Sequence, residues 1–495
     1  MFWCITLRMK KVSAKQRSGF SKQTRKSSLK KSRPKKTRST KISSARSADG
    51  YNQEPQDTVG FVALFLERIS WLQLSALKAR KSRAGRPAHT LSRPQLLVGI
   101  VFHYTVSLAG NFAEHLMMLT GISMAQSTLS ERRQALPAAV FEQLLGLVLR
   151  PLKKVSAAAF YKGLRLVAID GVAYSVGNHR SVNRRLKKQN NQKGQGGFAK
   201  LRCAVLLELL MHNPLAARIG CQGQSEWKLA QGLLEHLPMR CLLMADRLYG
   251  CGAFLVAALK ILRVRKGHLL IRVKRSLKVL RTIKELTEGS QLVEIKALNP
   301  QNRHEIAETV VVREIRATIR RKGCRPVQVR LWTSLLDEKK YPAQELVRLY
   351  MSRWEQELYF RELKHELGTN DLLRSQTVET AAQEVAAMIM GSSLIAEARS
   401  QLEPGEQLSH RISFLKVWDL LEPLWLTLLL GADILTTQQK EQLAARFYET
   451  ASKLKMAKKR IRSCPRVLRS PLQPWPKKTK QKELNTAVTY RIQSA

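Results

Sequence analysis

A chain of 495 residues in which 44% are hydrophobic can bury a sizeable core, which excludes global disorder. Lys and Arg total 86 against 37 Asp and Glu, a formal net charge of +49; such a surface draws polyanions, nucleic acid first, because neutralised phosphates release counterions. The seven cysteines contain no CxxC pair, which argues against a disulfide scaffold or zinc finger and fits a reducing compartment.

Residues 1–57 read as a basic disordered arm, with clusters such as Lys30-Lys31-Ser32-Arg33-Pro34-Lys35-Lys36. The arm resembles an organellar presequence in composition but shows no clear amphipathic period. From residue 58 to 152 the apolar spacing becomes helical: Phe61, Leu64, Phe65, Ile69 and Leu72 recur at three and four. This is expected to be an all-helical N-terminal DNA-binding domain. No apolar run reaches the ~18 residues of a membrane span; the best, Leu96 to Met118, is broken by His103, Asn111, Glu114 and His115. Within it Phe112–Leu119, a turn at Gly121, and a helix carrying Arg132 and Arg133 capped by Ser127 or Ser130 fit a helix-turn-helix, or equally an ordinary helical hairpin.

The period then changes. Leu164–Asp170 is a short apolar run ending in an acid. Leu201–Leu210 and Leu215–Ile219 follow, joined by a turn at His212-Asn213-Pro214. Glu226–Leu237 has a helical pattern, Arg240–Asp246 is another strand ending in an acid, and Phe254–Leu262 is helical again. From His268 to Leu336 the text is strand-like and reads as a separate β-rich insertion, about 265–340. A long helix is expected from Ala343 to Leu367, helices over 401–450 and a basic tail over 451–495.

The chemistry concentrates on the long helix. At ~100° per residue, Tyr350, Arg353, Glu357 and Lys364 share one stripe roughly 60° wide, while Glu355, Glu362 and Glu366 fall on the far side. A lone acid between two cations suits a metal ion beside a phosphate, although a salt-bridge ladder has the same spacing. Asp170 and Asp246, at the ends of apolar strands, carry a desolvation cost that a divalent cation would offset, though turn and cap roles are common for such residues.

The spacing of Tyr350, Arg353, Glu357 and Lys364 resembles the tyrosine-two-arginine-three-glutamate-six-lysine signature of bacterial insertion-sequence transposases of the insertion-sequence-four family. AIDGV at Asp170, MADRLYG at Asp246 and TLSERRQALP over 128–137 resemble the family's other motifs, and the likeness spans about residues 85–400. It implies an α/β fold. An RNase H-like catalytic core over 153–400 would be interrupted by the β-rich insertion, for which the 111 positions between Asp246 and Glu357 leave room. It implies Asp170, Asp246 and Glu357 as the catalytic triad holding Mg²⁺, with Mn²⁺ as a substitute. Tyr350, Arg353 and Lys364 would grip DNA phosphates, and Trp332 would stack on a flipped base unless it is a half-buried strand aromatic. The implied activity is cut-and-paste transposition: strand cleavage at the ends of the element and strand transfer into target DNA. The partners would be double-stranded DNA and a second copy of the chain, in the bacterial cytoplasm at the nucleoid, with no membrane. Val172 and Leu248 depart from the small hydroxyl residue and the glycine usual in the family. The rivals are a non-catalytic DNA-binding protein derived from a transposase, and a nuclease that cuts without joining.

Overall fold

The computed structural model describes residues 91–106, 110–153, 155–191, 194–298, 306–321, 326–368, 372–402, 412–431, 433–454 and 488–492. The expected basic arm, the first periodic helical stretch and most of the basic tail lie outside these residues.

Among the described residues four helices come first: α1 (Arg93–Thr105), α2 (Phe112–Thr120), α3 (Gln126–Gln134) and α4 (Ala138–Val148). Local chemistry sets their ends. Ser92 with Gln95 and Asn111 with Glu114 form capping boxes, and Gly121 closes α2 with φ +70°. Neither serine caps α3; its N-cap is Ala125, which provides no side-chain bond.

The sheet follows. β1 (Phe160–Tyr161) is a short hairpin arm of β2 (Leu164–Val176); then come β3 (Lys188–Asn191), β4 (Gly194–Glu208), β5 (Asn213–Ile219), β6 (Cys241–Ala245) and β7 (His268–Arg272). Helix α5 (Arg180–Arg185) precedes β3, α6 (Glu226–Gln231) precedes β6, and α7 (Gly252–Val264) precedes β7. β5, β4 and β2 are antiparallel neighbours; β2, β6 and β7 are parallel. This order is consistent with the RNase H-like core that the resemblance implies. Both faces are covered, so the strands read as near-continuous apolar runs. Leu166, Ala168, Val172 and Tyr174 join one core; Val167 and Ile169 join a second on the other face.

The β-rich segment is not separate. β8 (Arg281–Glu285), β9 (Ser290–Leu298), β10 (Ile306–Arg321) and β11 (Val327–Thr333) continue the same sheet, because β11 pairs with β7 at Trp332↔Ile271. β12 (Val488–Ile492) adds to β10. β7 pairs with β6 along one edge, and the returning β11 covers the other.

The expected long helix is a chain of unlike turns. α8 (Ala343–Tyr350) passes through a 3₁₀ turn at Met351–Arg353 into α9 (Trp354–Arg361) and then a π-helical turn at Glu362–Leu367. Such departures from the α form recur at functional sites. Helix α10 (Val378–Gln401) is buried on nearly every side, and α11 (Phe414–Leu430) and α12 (Thr437–Ser452) follow it. Its small residues admit close neighbours: a Cβ on Gly391 would stand 2.2 Å from Thr105 Oγ1 of α1. The N-terminal helices and one face of the sheet therefore share one core. Among the described residues no helix is long and apolar enough to cross a membrane.

Candidate active site

β2 and β6 run parallel from Arg165↔Cys241 to Ile169↔Ala245, and pairing stops there. Asp170 and Asp246 are the next residue on each strand, so two acids emerge side by side at the carboxyl end of a parallel pair. β2 continues past this point, paired with β4, with Asp170 opposite Val205. The same Val205 carbonyl accepts a 2.8 Å bond from Gln356 Nε2, a fully buried side chain on α9. The residue before Glu357 thus pins the helix to the strand neighbour of Asp170.

Arg353 joins the two elements. Its Nη1 lies 3.0 Å from Asp170 Oδ2 and its Nη2 2.9 Å from Glu357 Oε1. The Arg353 and Asp170 side chains keep 14% and 16% of their exposure and that of Glu357 keeps 37%, so the cluster opens to solvent on the Glu357 side. Burial pushes the Asp170 carboxyl up to about 7, against the pull of Arg353 and the Gly171 amide, with Asp246 and Glu226 adding to the rise. The Asp246 carboxylate accepts the Leu248 amide at 2.6 Å. Leu248 has no positive φ, so the position does not demand glycine.

As the side chains stand, no three His, Cys, Asp or Glu among the described residues gather closely enough to hold a metal ion. The guanidinium of Arg353 ties Asp170 to Glu357 instead. The donor chemistry nonetheless fits a hard divalent ion: the three candidate ligands are all carboxylates, and a desolvated Asp170 beside Asp246 calls for positive charge.

The remaining expected residues divide. Lys364 Nζ stands 5.4 Å from the ring centroid of Tyr174, four residues along β2 from Asp170 on the same face. Tyr350 does not face outward as a phosphate contact should. It is buried, and its hydroxyl donates to the Ala245 carbonyl at 3.3 Å, next to Asp246. Trp332 is fully buried, its indole N–H donates to Glu314 at 2.7 Å, and Arg330 covers the ring. That leaves no free face for a base, and the strand-aromatic alternative holds. Among the described residues Trp354, beside Arg353, is the exposed indole, at 55%. Arg132 donates to the Leu91 carbonyl at 2.7 Å and Arg133 to the Tyr104 hydroxyl at 2.9 Å. Both are engaged within the helical layer, and α3 turns Gln126, Ser127, Ser130, Glu131 and Gln134 outward instead.

Two contributors escaped the sequence reading. Glu355 and Glu362, on the far side of the helix, both hold His212, at 2.9 and 2.6 Å. His212 has φ +53°, a strained conformation for a non-glycine residue, in the tight β4–β5 turn. Burial alone would lower its pKa, but Glu362 and Glu355 hold it up at about 9. Glu226, at the start of α6, abuts Gly171 and accepts the Tyr249 hydroxyl. No motif marks either residue; only the fold brings them to these positions.

Residues 161–392 match the family model described as the transposase DDE domain, a span that contains Asp170, Asp246 and Glu357. The chain is also 28% identical over 237 residues to a transposase of Escherichia coli (strain K12), InsG of the insertion sequence element IS4. That match covers 47% of this chain and 52% of the relative, so the chain spans about half the length of the curated relative it matches. The matched span carries Asp170 and Asp246, side by side where the β2–β6 pairing ends, and Glu357 on a helix, and over that span the chain is similar to the DDE-type transposases of the insertion-sequence-four family.

Proposed function

We propose that the protein cuts DNA at the ends of an insertion sequence and joins the freed ends to target DNA, acting in the bacterial cytoplasm. The observation that carries this reading is that Asp170 and Asp246 lie side by side where the β2–β6 pairing ends, with Arg353 tying Asp170 to Glu357.

Asp170, Asp246 and Glu357 are the groups that would hold Mg²⁺ or Mn²⁺. When bound, such ions supply an activated nucleophile and neutralise charge on the phosphodiester. The chain's own contribution is positioning. Gln356 and Tyr350 fix the helix against the strands, so that Glu357 stays aligned with the aspartates. Arg353, bonded to Asp170 and Glu357 in the DNA-free chain, can exchange these carboxylates for a phosphate; its planar fork suits both. Lys364, on the π-helical turn over Tyr174 of β2, would extend the cationic track. Water displaces one phosphodiester oxygen in line and frees a 3′-OH, and that hydroxyl then displaces an oxygen in the target strand. Because two ends must be held together, the working complex would contain two copies of the chain.

The test is cleavage of a plasmid carrying the element's own ends, in Mg²⁺ and in EDTA, by the wild type and by Asp170→Asn, Asp246→Asn and Glu357→Gln. Metal-dependent cutting lost in all three variants, with strand-transfer products from a precut 3′-OH end, is the expected result. Tight binding without cutting would instead mark a DNA-binding protein, and cutting without joining a nuclease.

A further inference from the structure

Glu226 is used by nothing above, yet it is built into the same end of the sheet. It comes from the face opposite Glu357. Its side chain lies so close to β2 that a Cβ on Gly171 would stand 2.2 Å from Glu226 Cδ and Cγ. The residue after Asp170 therefore has to be bare backbone while Glu226 keeps this place. The Ser225 hydroxyl accepts the Lys228 amide and fixes the first turn of α6, which sets the direction of Glu226. On the other side, Tyr249 follows Asp246 by three residues. It is fully buried, its amide donates to the Asp246 carbonyl at 3.2 Å, and its hydroxyl donates to Glu226 Oε1 at 2.8 Å. The Gly171 amide acts on two carboxylates at once, bonding Asp170 Oδ1 at 2.9 Å and also lying against Glu226. One carboxyl thus touches both the strand that carries Asp170 and the loop that carries Asp246. Arg353 neutralises Asp170 from the Glu357 side, but three carboxyl groups crowded in this space still repel one another, and a further cation among them would relieve that repulsion.

We propose that Glu226, braced by Tyr249 against Gly171, is a positioning residue of the cleavage centre that sets Asp170 and Asp246 in register for a divalent cation. The inference rests on the metal-dependent reading of the triad. It requires that removing the brace weakens metal binding before DNA or chemistry is involved.

The experiment is Mn²⁺ titration of the full chain without DNA, by calorimetry, on the wild type, Asp170→Asn, Tyr249→Phe and Glu226→Gln. Partners behind metal ligands typically change affinity 10–100-fold. Tyr249→Phe and Glu226→Gln are each expected to weaken Mn²⁺ binding by about 10-fold or more, with melting temperatures close to wild type. Loss of binding in Asp170→Asn but wild-type affinity in both brace variants would overturn the inference and leave the triad reading intact. Undiminished binding in Asp170→Asn would instead overturn the triad reading itself. Should Tyr249→Phe fail to fold, Glu226→Gln, which keeps the size of the side chain, decides alone.

Discussion

The two faces of the helix around Glu357 use the same kinds of residue to opposite ends. On one face His212 sits between Glu355 and Glu362, and the histidine bonds both acids in a nearly closed cluster. On the other, Arg353 ties Asp170 to Glu357, but Asp246 stands nearby without a cation on its carboxylate among the described contacts, and the Glu357 side is open. Charges that close on one another within the core serve the fold. An acid-rich cluster with one exchangeable cation and an open side is suited to take up a ligand.

The largest effect should come from opening the closed cluster. His212→Leu leaves two mostly buried carboxylates without their shared donor and should destabilise the protein by about 3–5 kcal/mol, measured by denaturant unfolding. Titration should open it as well. The His212 pKa is about 9 in the folded chain, above the ~6.5 of an unfolded histidine. Its stabilisation is therefore complete below about pH 6.5 and lost as pH rises through 9. On the order of 3 kcal/mol should disappear across that window, and not in His212→Leu. An unfolding series that stays flat from pH 6.5 to 9.5 would contradict the cluster.

A smaller effect separates the two tryptophans. Trp332→Phe removes the bond to buried Glu314 and should cost about 1.5–3 kcal/mol of stability. Trp354→Ala, on the surface beside Arg353, should leave stability within about 0.5 kcal/mol. If bases stack on that indole, affinity for single-stranded DNA should fall by about 1–3 kcal/mol. Equal DNA affinity in wild type and Trp354→Ala would remove the indole from the binding surface.

Much of this was legible in the sequence because it depends on period and strand ends. LRLVAID and RCLLMAD end where the parallel pairing of β2 with β6 ends, so both aspartates could be placed from the text, although β2 itself runs on to Val176. The helical stripe correctly set Arg353 and Glu357 together and put Glu355 and Glu362 opposite them. Other features depend on contacts between distant segments. Tyr350 stands on the motif stripe as a phosphate contact and Trp332 as a base-stacking candidate, but pairing of β11 with β7 and the bond of Tyr350 to the end of β6 hold both in buried positions. The insertion read as separate because nothing local shows that β11 returns to the edge of β7. Glu226 and His212 carry no spacing signal, since their partners are 23 and 143–150 positions away.

The most direct test of the contrast makes one chemical change on each face. Plasmid cleavage by Glu357→Gln and Glu355→Gln should be timed in Mg²⁺ at one temperature below both melting transitions. The account predicts at least ~100-fold slower cutting in Glu357→Gln and near wild-type cutting in Glu355→Gln. Equal losses in the two variants, or the greater loss in Glu355→Gln, would contradict the assignment of the open face as the site of chemistry.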